Sequence, residues 1–142
     1  MFGRNNKLDT AWLASLRFFD GFTEAELESV SVLGEKMEVT AGTEFIDLGR
    51  VGDSCYVIVE GTAAVYIRGE FITSVRSGSM VGEMALVEHR PRNASVLAET
   101  DMVLVSFGTD EFRKLLASSP NANERVLTLL NSRLRDNEAR KS

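Results

Sequence analysis

One cysteine and one histidine are all that 142 residues contain of these types, and each scarcity excludes something. A single thiol, Cys55, allows no internal disulfide, and its place in the apolar stretch CYVIV reads as a buried strand position. The lone histidine, His89, lies in the loop-like EHRPR. It has no Cys/His companions for a metal and no partners for acid–base catalysis. No Gly-rich Walker pattern suggests triphosphate chemistry. The chain is therefore expected to be no enzyme, with no catalytic residues and no metal ligands. Apolar runs of roughly eighteen residues, the length needed to cross a bilayer, are missing. The opening MFGRNNKLDTAW has neither the apolar core nor the small-residue cleavage site of a signal peptide. A cytoplasmic protein is expected. An excess of cations is missing too: 16 Lys plus Arg against 21 Asp plus Glu give a net charge of −5. Such a chain has no general attraction for nucleic acid or anionic membranes, so any anion must be held by a local pocket.

What is present is ordinary globular material, 44% hydrophobic and 26% charged, expected to form one domain over residues 1–142. Residues 8–34 read as helical. LDTAWLASLRFF places Leu8, Trp12, Leu13 and Leu16 at helical spacing up to a break at Asp20-Gly21. Thr23 then opens a second helix with Glu26 three residues on, a capping-box pattern, and Gly34 closes it. Residues 36–107 change character. Short runs such as CYVIVEG, AAVYIR, EFITSV and MVLVSF alternate with glycines, and RGE at 68–70 reads as a tight hairpin with Gly69 at positive φ. Many short strands in so small a span point to a mainly β jelly roll or barrel. Residues 109–138 return to helix, one helix ending before Pro120 and a second with Val126, Leu127, Leu130 and Leu134 on one stripe.

The densest chemistry lies in VGEMALVEHRPRNASV, residues 81–96. Gly82 permits close backbone approach, and Glu83-Met84-Ala85-Leu86-Val87 is helix-forming sequence directly after a turn. A helix start presents free amides to a phosphate. Arg92 offers a planar fork for two phosphate oxygens, and Glu83 can accept from a ribose hydroxyl. Taken alone, the same two residues also describe an ordinary solvated ion pair.

GEMALVEHRPRNASV resembles the phosphate-binding cassette of the cyclic nucleotide-binding domain family: Gly-Glu, a few apolar residues, a short variable loop, then Pro-Arg, two small residues and Ser or Thr. The resemblance extends to Gly42, Gly49, Gly61 and Gly78, and to Gly52-Asp53, Tyr56 and Ile58 in GRVGDSCYVIVEG. It also includes Phe112, Leu115, Leu116 and Pro120 in the following helix, so that it covers about residues 15 to 138. It implies a β-roll between N-terminal helices and two C-terminal helices, with the cassette at 82–95. In that frame Arg92 pairs with the cyclic phosphate, helped by amides at Ala85 and Ala94, while Glu83 and the Gly82 backbone take the ribose 2′-hydroxyl. Asn93 lies where some members contact the guanine of cyclic GMP. Val65 and Ile72 match strand positions under the base, and Arg133 and Asn137 fall where the final helix reaches the base or its neighbourhood. Read without the family, Arg133 is a solvent-facing helix charge, and Val65 and Ile72 are core packing. Val81 and Ser79 depart from the family's aromatic and Asp, at positions expected beside the site rather than in it.

The resemblance thus implies a stand-alone, non-catalytic receptor for cyclic AMP (cAMP), before cyclic GMP (cGMP), that relays occupancy through its C-terminal helices to an effector protein. No cofactor is expected besides that ligand. The stripe on the last helix can instead serve as a homodimer seam. The alternative is a protein-interaction domain that keeps the fold without the ligand, against which the intact Glu83/Arg92 pair argues. A third reading is a truncated piece of a larger regulator or enzyme, although Met1 and the basic end RLRDNEARKS suit a complete chain.

Overall fold

A computed structural model describes residues 7–46, 53–83 and 94–141, with side chains followed as far as Arg133 in the last helix. Helix α1 spans Thr10–Ala14, a 3-10 turn spans Arg17–Phe19, and α2 spans Glu24–Leu33. The strands are β1 (Glu35–Val39), β2 (Glu44–Ile46), β3 (Ser54–Glu60), β4 (Thr62–Ile67), β5 (Glu70–Arg76), β6 (Met80–Val81), β7 (Ser95–Ala98) and β8 (Met102–Gly108). Helices α3 (Thr109–Ser118) and α4 (Pro120–Lys141) come after them. The strands form two four-stranded sheets ordered β1-β8-β3-β6 and β2-β7-β4-β5, every pairing antiparallel. This is the expected mainly β architecture, a β-roll with helices at both ends of the chain.

The first sheet is covered on both faces. Cys55, Val57, Val105 and Phe107 of β3 and β8 pack with Leu13, Phe18, Phe19, Val30, Phe112 and Leu115 from the helices. Ile58, Met102 and Leu104 turn the other way and meet Ile46, Ala63, Val96 and Ala98 of the second sheet. The burial of Cys55 is complete. Short alternating runs were expected, but β3 and β8 carry apolar side chains on both faces because both faces of this sheet are covered.

The first helical stretch is shorter than its spacing suggested. Helix α1 stops at Ala14, and the Ser15 hydroxyl donates to the Trp12 carbonyl at 2.6 Å. Leu16 is extended and the 3-10 turn comes next, with adjacent Phe18 and Phe19 both buried, one edge-on to the other. The capping box of α2 forms as expected: Thr23 N–H donates to Glu26 Oε1 at 2.8 Å and Glu26 N–H donates to Thr23 Oγ1 at 3.1 Å. Gly34 does end α2, but with φ −92° and not in a left-handed cap. It is crowding that calls for glycine here, since a Cβ would lie 2.8 Å from Val105 Cγ1. The β4–β5 hairpin turns through Arg68 (φ 53°) and Gly69 (φ 81°), the paired positive φ values of a two-residue hairpin. On α4 the expected stripe divides: Val126 is buried, whereas Leu127 is 54% exposed, and Leu129 and Leu130 join Val126 against the core.

Strand β6 is the element that delivers Glu83. It is only Met80–Val81, paired with Val57 and Tyr56 at the edge of the first sheet, and it leads directly to Gly82 and Glu83. The chain is next described at Ala94, entering β7 in the second sheet. Glu83 thus leaves the edge of one sheet and Ala94 leads into the other.

Candidate functional site

Gly82 has φ +89°, a left-handed conformation that turns the chain off β6 without the strain a side chain would bring. The next residue, Glu83, is buried to 0% exposure. A carboxylate without water needs partners. One comes from the far helix: Arg133 Nη1 donates to Glu83 Oε2 as an ion pair, with the Arg133 side chain 26% exposed. Arg133 Nη2 donates to the Met80 carbonyl at 2.5 Å and to Ser79 Oγ at 3.3 Å. One planar guanidinium thus grips the carboxylate, a hydroxyl and a strand-end carbonyl together, a task suited to its fork. The other carboxylate oxygen, Glu83 Oε1, is buried and has no hydrogen-bond partner among the described residues.

Two of the expected site residues, Glu83 and Arg133, are therefore brought into contact, beside Gly82. Arg133 is not the solvent-facing charge that spacing alone permits, and its partners are the acid and the β6 end. Ser79, expected beside the site, supplies one of those contacts and was missed as a participant. The Met80 carbonyl could not have been found from side-chain types at all. Val65 lies half-buried on β4, opposite Thr73 of β5 and Val96 of β7, packed against the core between the sheets. Ile72, also half-buried, is the extra residue of a bulge, since Val65 pairs with Thr73 and Tyr66 with Phe71. Ala94 is half-buried just before β7. Met84, Ala85, Arg92, Asn93 and the side chain of Asn137 lie outside the described residues. Among the described residues no group of His, Cys, Asp and Glu could hold a metal ion. Among the same residues no helix is long and apolar enough to cross a membrane.

The base of α4 is held by a second buried acid that sequence reading saw only as a cap. Glu26 Oε2 accepts from Ser119 Oγ at 2.6 Å and from the Asn121 amide at 3.0 Å. Its Oε1 accepts from Asn121 Nδ2 at 2.6 Å in addition to the Thr23 amide. Ser119 Oγ in turn accepts from the Ala122 amide at 3.0 Å, and the Ser119 carbonyl from the Asn123 amide at 3.0 Å. Pro120 has no amide to satisfy, so the first turn of α4 is fully provided for. Burial works to raise the Glu26 pKa, but the hydrogen bonds from Ser119, Thr23 and Asn121 outweigh it and lower the value to about 2. One turn further on, Arg125 donates to the carbonyls of Phe18 and Asp20, the latter at 2.8 Å, with its guanidinium 5.6 Å from the ring centres of Phe18 and Phe22.

Comparison with known proteins places this geometry in context. The family model described as cyclic nucleotide-binding domain matches residues 36–119. A cGMP-dependent protein kinase of Toxoplasma gondii is 32% identical over 115 residues, 81% of this chain and 12% of the kinase. The Pycsar effector protein XpPycTIR of Xanthomonas perforans is 34% identical over 108 residues, 75% of this chain and 36% of that protein. The chain thus spans a minor part of the length of these relatives. Among solved structures, the regulatory domain of Toxoplasma gondii PKA in co-crystal with cAMP superposes with a TM-score of 0.72 at 25% identity, covering 87% of this chain and 48% of the other.

Proposed function

The chain belongs to the cyclic nucleotide-binding domain family, and from that premise we propose that it is a non-catalytic receptor that binds cAMP, in preference to cGMP, within its β-roll. The observation that carries the reading is the buried carboxylate of Glu83, whose Oε1 has no hydrogen-bond partner among the described residues. A buried charged acceptor lacking a donor costs about 1–3 kcal/mol or more, and a ligand hydroxyl placed against Oε1 relieves it. A ribose 2′-hydroxyl is the donor that a sugar phosphate offers there. Arg92, with amides at Ala85 and Ala94 and the neighbouring Met84 and Asn93, takes the cyclic phosphate, and Val65 and Ile72 lie under the base. The co-crystallised cAMP of the Toxoplasma gondii domain supports a ligand of this class.

The relay runs through the same carboxylate. Arg133 occupies Oε2 and leaves Oε1 open, so the ligand and the helix use different oxygens and do not compete. Each completes the environment of the acid for the other. Occupancy of the pocket therefore tightens α4 on the β-roll, and a firmly held α4 raises affinity in equal measure. The decisive experiment is thermal unfolding with and without nucleotide. At about a hundred times its dissociation constant cAMP stabilises by roughly 2.7 kcal/mol, and Arg92→Ala abolishes the shift. No shift with millimolar cAMP or cGMP favours the alternative, a protein-interaction domain of the same fold.

A further inference from the structure

Among the described residues, the polar contacts of helix α4 with the rest of the protein gather near its base and at Arg133. Its far end carries Arg133 to Glu83. Its base is gripped by residues that the receptor reading does not use: Glu26 on α2, through Ser119 and Asn121, and the carbonyls of Phe18 and Asp20, through Arg125. Asn121 Nδ2 adds a bond to the Gly21 carbonyl at 3.3 Å. Every one of these base partners belongs to the helical segment ahead of the β-roll. We propose that Glu26 is a positioning residue for the nucleotide site: its carboxylate fixes the pivot of α4, and the pivot decides whether Arg133 reaches Glu83. The proposal rests on the reading of Arg133 and Glu83 as the site's latch.

The mechanics come from helix geometry. Asn121 and Arg133 are separated by about 18 Å of helix axis, so a tilt of about 10° at the base moves the far end by about 3 Å. That displacement is as large as the hydrogen bonds that Arg133 makes to Ser79 and Met80. Three donors on α4 and its cap converge on one acid: the Ser119 hydroxyl, the Asn121 amide and the Asn121 side chain. Donors placed on three sides of one carboxylate restrain orientation, which a single contact would not. The acid also suits its place electrostatically, because a helix start is electropositive and α4 has no acid of its own in its first turn. Glu26 supplies that charge from another element. The capping box ties the same carboxylate to the start of α2, so α2 and α4 share one anchor.

The test measures position without nucleotide. Spin labels on Asn131→Cys and Glu38→Cys, both exposed sites, report the distance from the far part of α4 to the β-roll, with the buried Cys55 left in place. The wild-type background gives one narrow distance peak. Glu26→Gln loses that peak and gives a broad or shifted distribution, at temperatures where circular dichroism shows the domain folded, and cAMP affinity falls with it. Should Glu26→Gln not fold, Asn121→Ala, which leaves the carboxylate and Ser119 intact, must broaden the peak to a smaller extent. If the variants melt earlier but keep the wild-type distance distribution below their melting range, Glu26 only stabilises the fold and the proposal is overturned. Absence of nucleotide binding in the wild-type protein would sink the receptor reading and leave the distance result to stand by itself.

Discussion

Arg133 and Glu83 lie 50 residues apart in the chain and meet as an ion pair at the end of the shortest strand of the β-roll. Among the described residues only one of the two carboxylate oxygens has a partner. This asymmetry makes the pair both a structural contact and an open acceptor.

Arg133→Ala leaves the buried acid without its ion-pair partner. The expected destabilisation is about 3 kcal/mol, at the low end for a buried pair because part of the arginine is exposed. It reads as a fall of several degrees in Tm by calorimetry. Arg133→Lys recovers only part of it, since one ammonium cannot match the fork that serves Glu83, Ser79 and Met80 together. Equal Tm values for all three proteins would mean that the pair is no latch.

The open oxygen gives a test by ligand chemistry. A 2′-deoxy analogue of cAMP lacks the donor proposed for Glu83 Oε1, and a hydrogen bond to a charged group contributes about 1.5–3 kcal/mol. Isothermal titration should therefore show wild-type affinity for the analogue lower than for cAMP by about ten- to a hundredfold. In Glu83→Ala the two ligands should bind equally. A wild-type protein indifferent to the 2′-hydroxyl would remove Glu83 from the sugar.

Glu26 sets the acid limb of stability. Its pKa in the folded protein, about 2, is below the ordinary 4.5, so the folded state favours the charged form. The resulting stabilisation is complete above the unfolded value. It is lost as pH falls from about 4.5 towards 2, where the carboxylate protonates in the folded protein as well. Chemical denaturation across that window should show a steeper loss for wild type than for Glu26→Gln. Parallel curves would mean that the hydrogen bonds to Glu26 are not kept in solution.

Two glycines separate crowding from backbone strain. At Gly34, with ordinary φ, an added methyl meets Val105, Phe107 and the Val30 carbonyl, and Gly34→Ala should cost about 2 kcal/mol as overpacking. At Gly61, φ is +94° and the new Cβ would stand 2.5 Å from the Asp101 carbonyl oxygen, so both penalties apply. Urea melts should rank Gly61→Ala as the less stable variant. The reverse order would contradict the turn geometry between β3 and β4.

Local chemistry was legible and long-range chemistry was not. The capping box at Thr23 and Glu26, the hairpin at Arg68-Gly69 and the strand runs depend on residues close in sequence, and the pattern reveals them. Glu83 was found because GEMALVEHRPRNASV resembles a family cassette, whereas its residue types alone also fit a solvated ion pair. Its partnership with Arg133 was only half visible: spacing put Arg133 on the final helix, and nothing in the residue types put Ser79 or the Met80 carbonyl beneath it. Glu26 illustrates the limit best. One residue satisfies a local rule and a distant demand at once, and the first explanation concealed the second. Likewise a helical period was a fair reading of LDTAWLASLRFF, but Ser15 caps the helix onto the Trp12 carbonyl and Leu16 leaves it extended.

Residues 36–119, the stretch matching the family model, keep Ser119 but leave out both Glu26 and Asn121. Anyone trimming the chain to that span would sever the anchor on one side and delete the helix it steadies on the other. The pieces before and after the roll therefore have to be cloned together, and a shortened version that fails to respond to nucleotide would say nothing about the pocket itself.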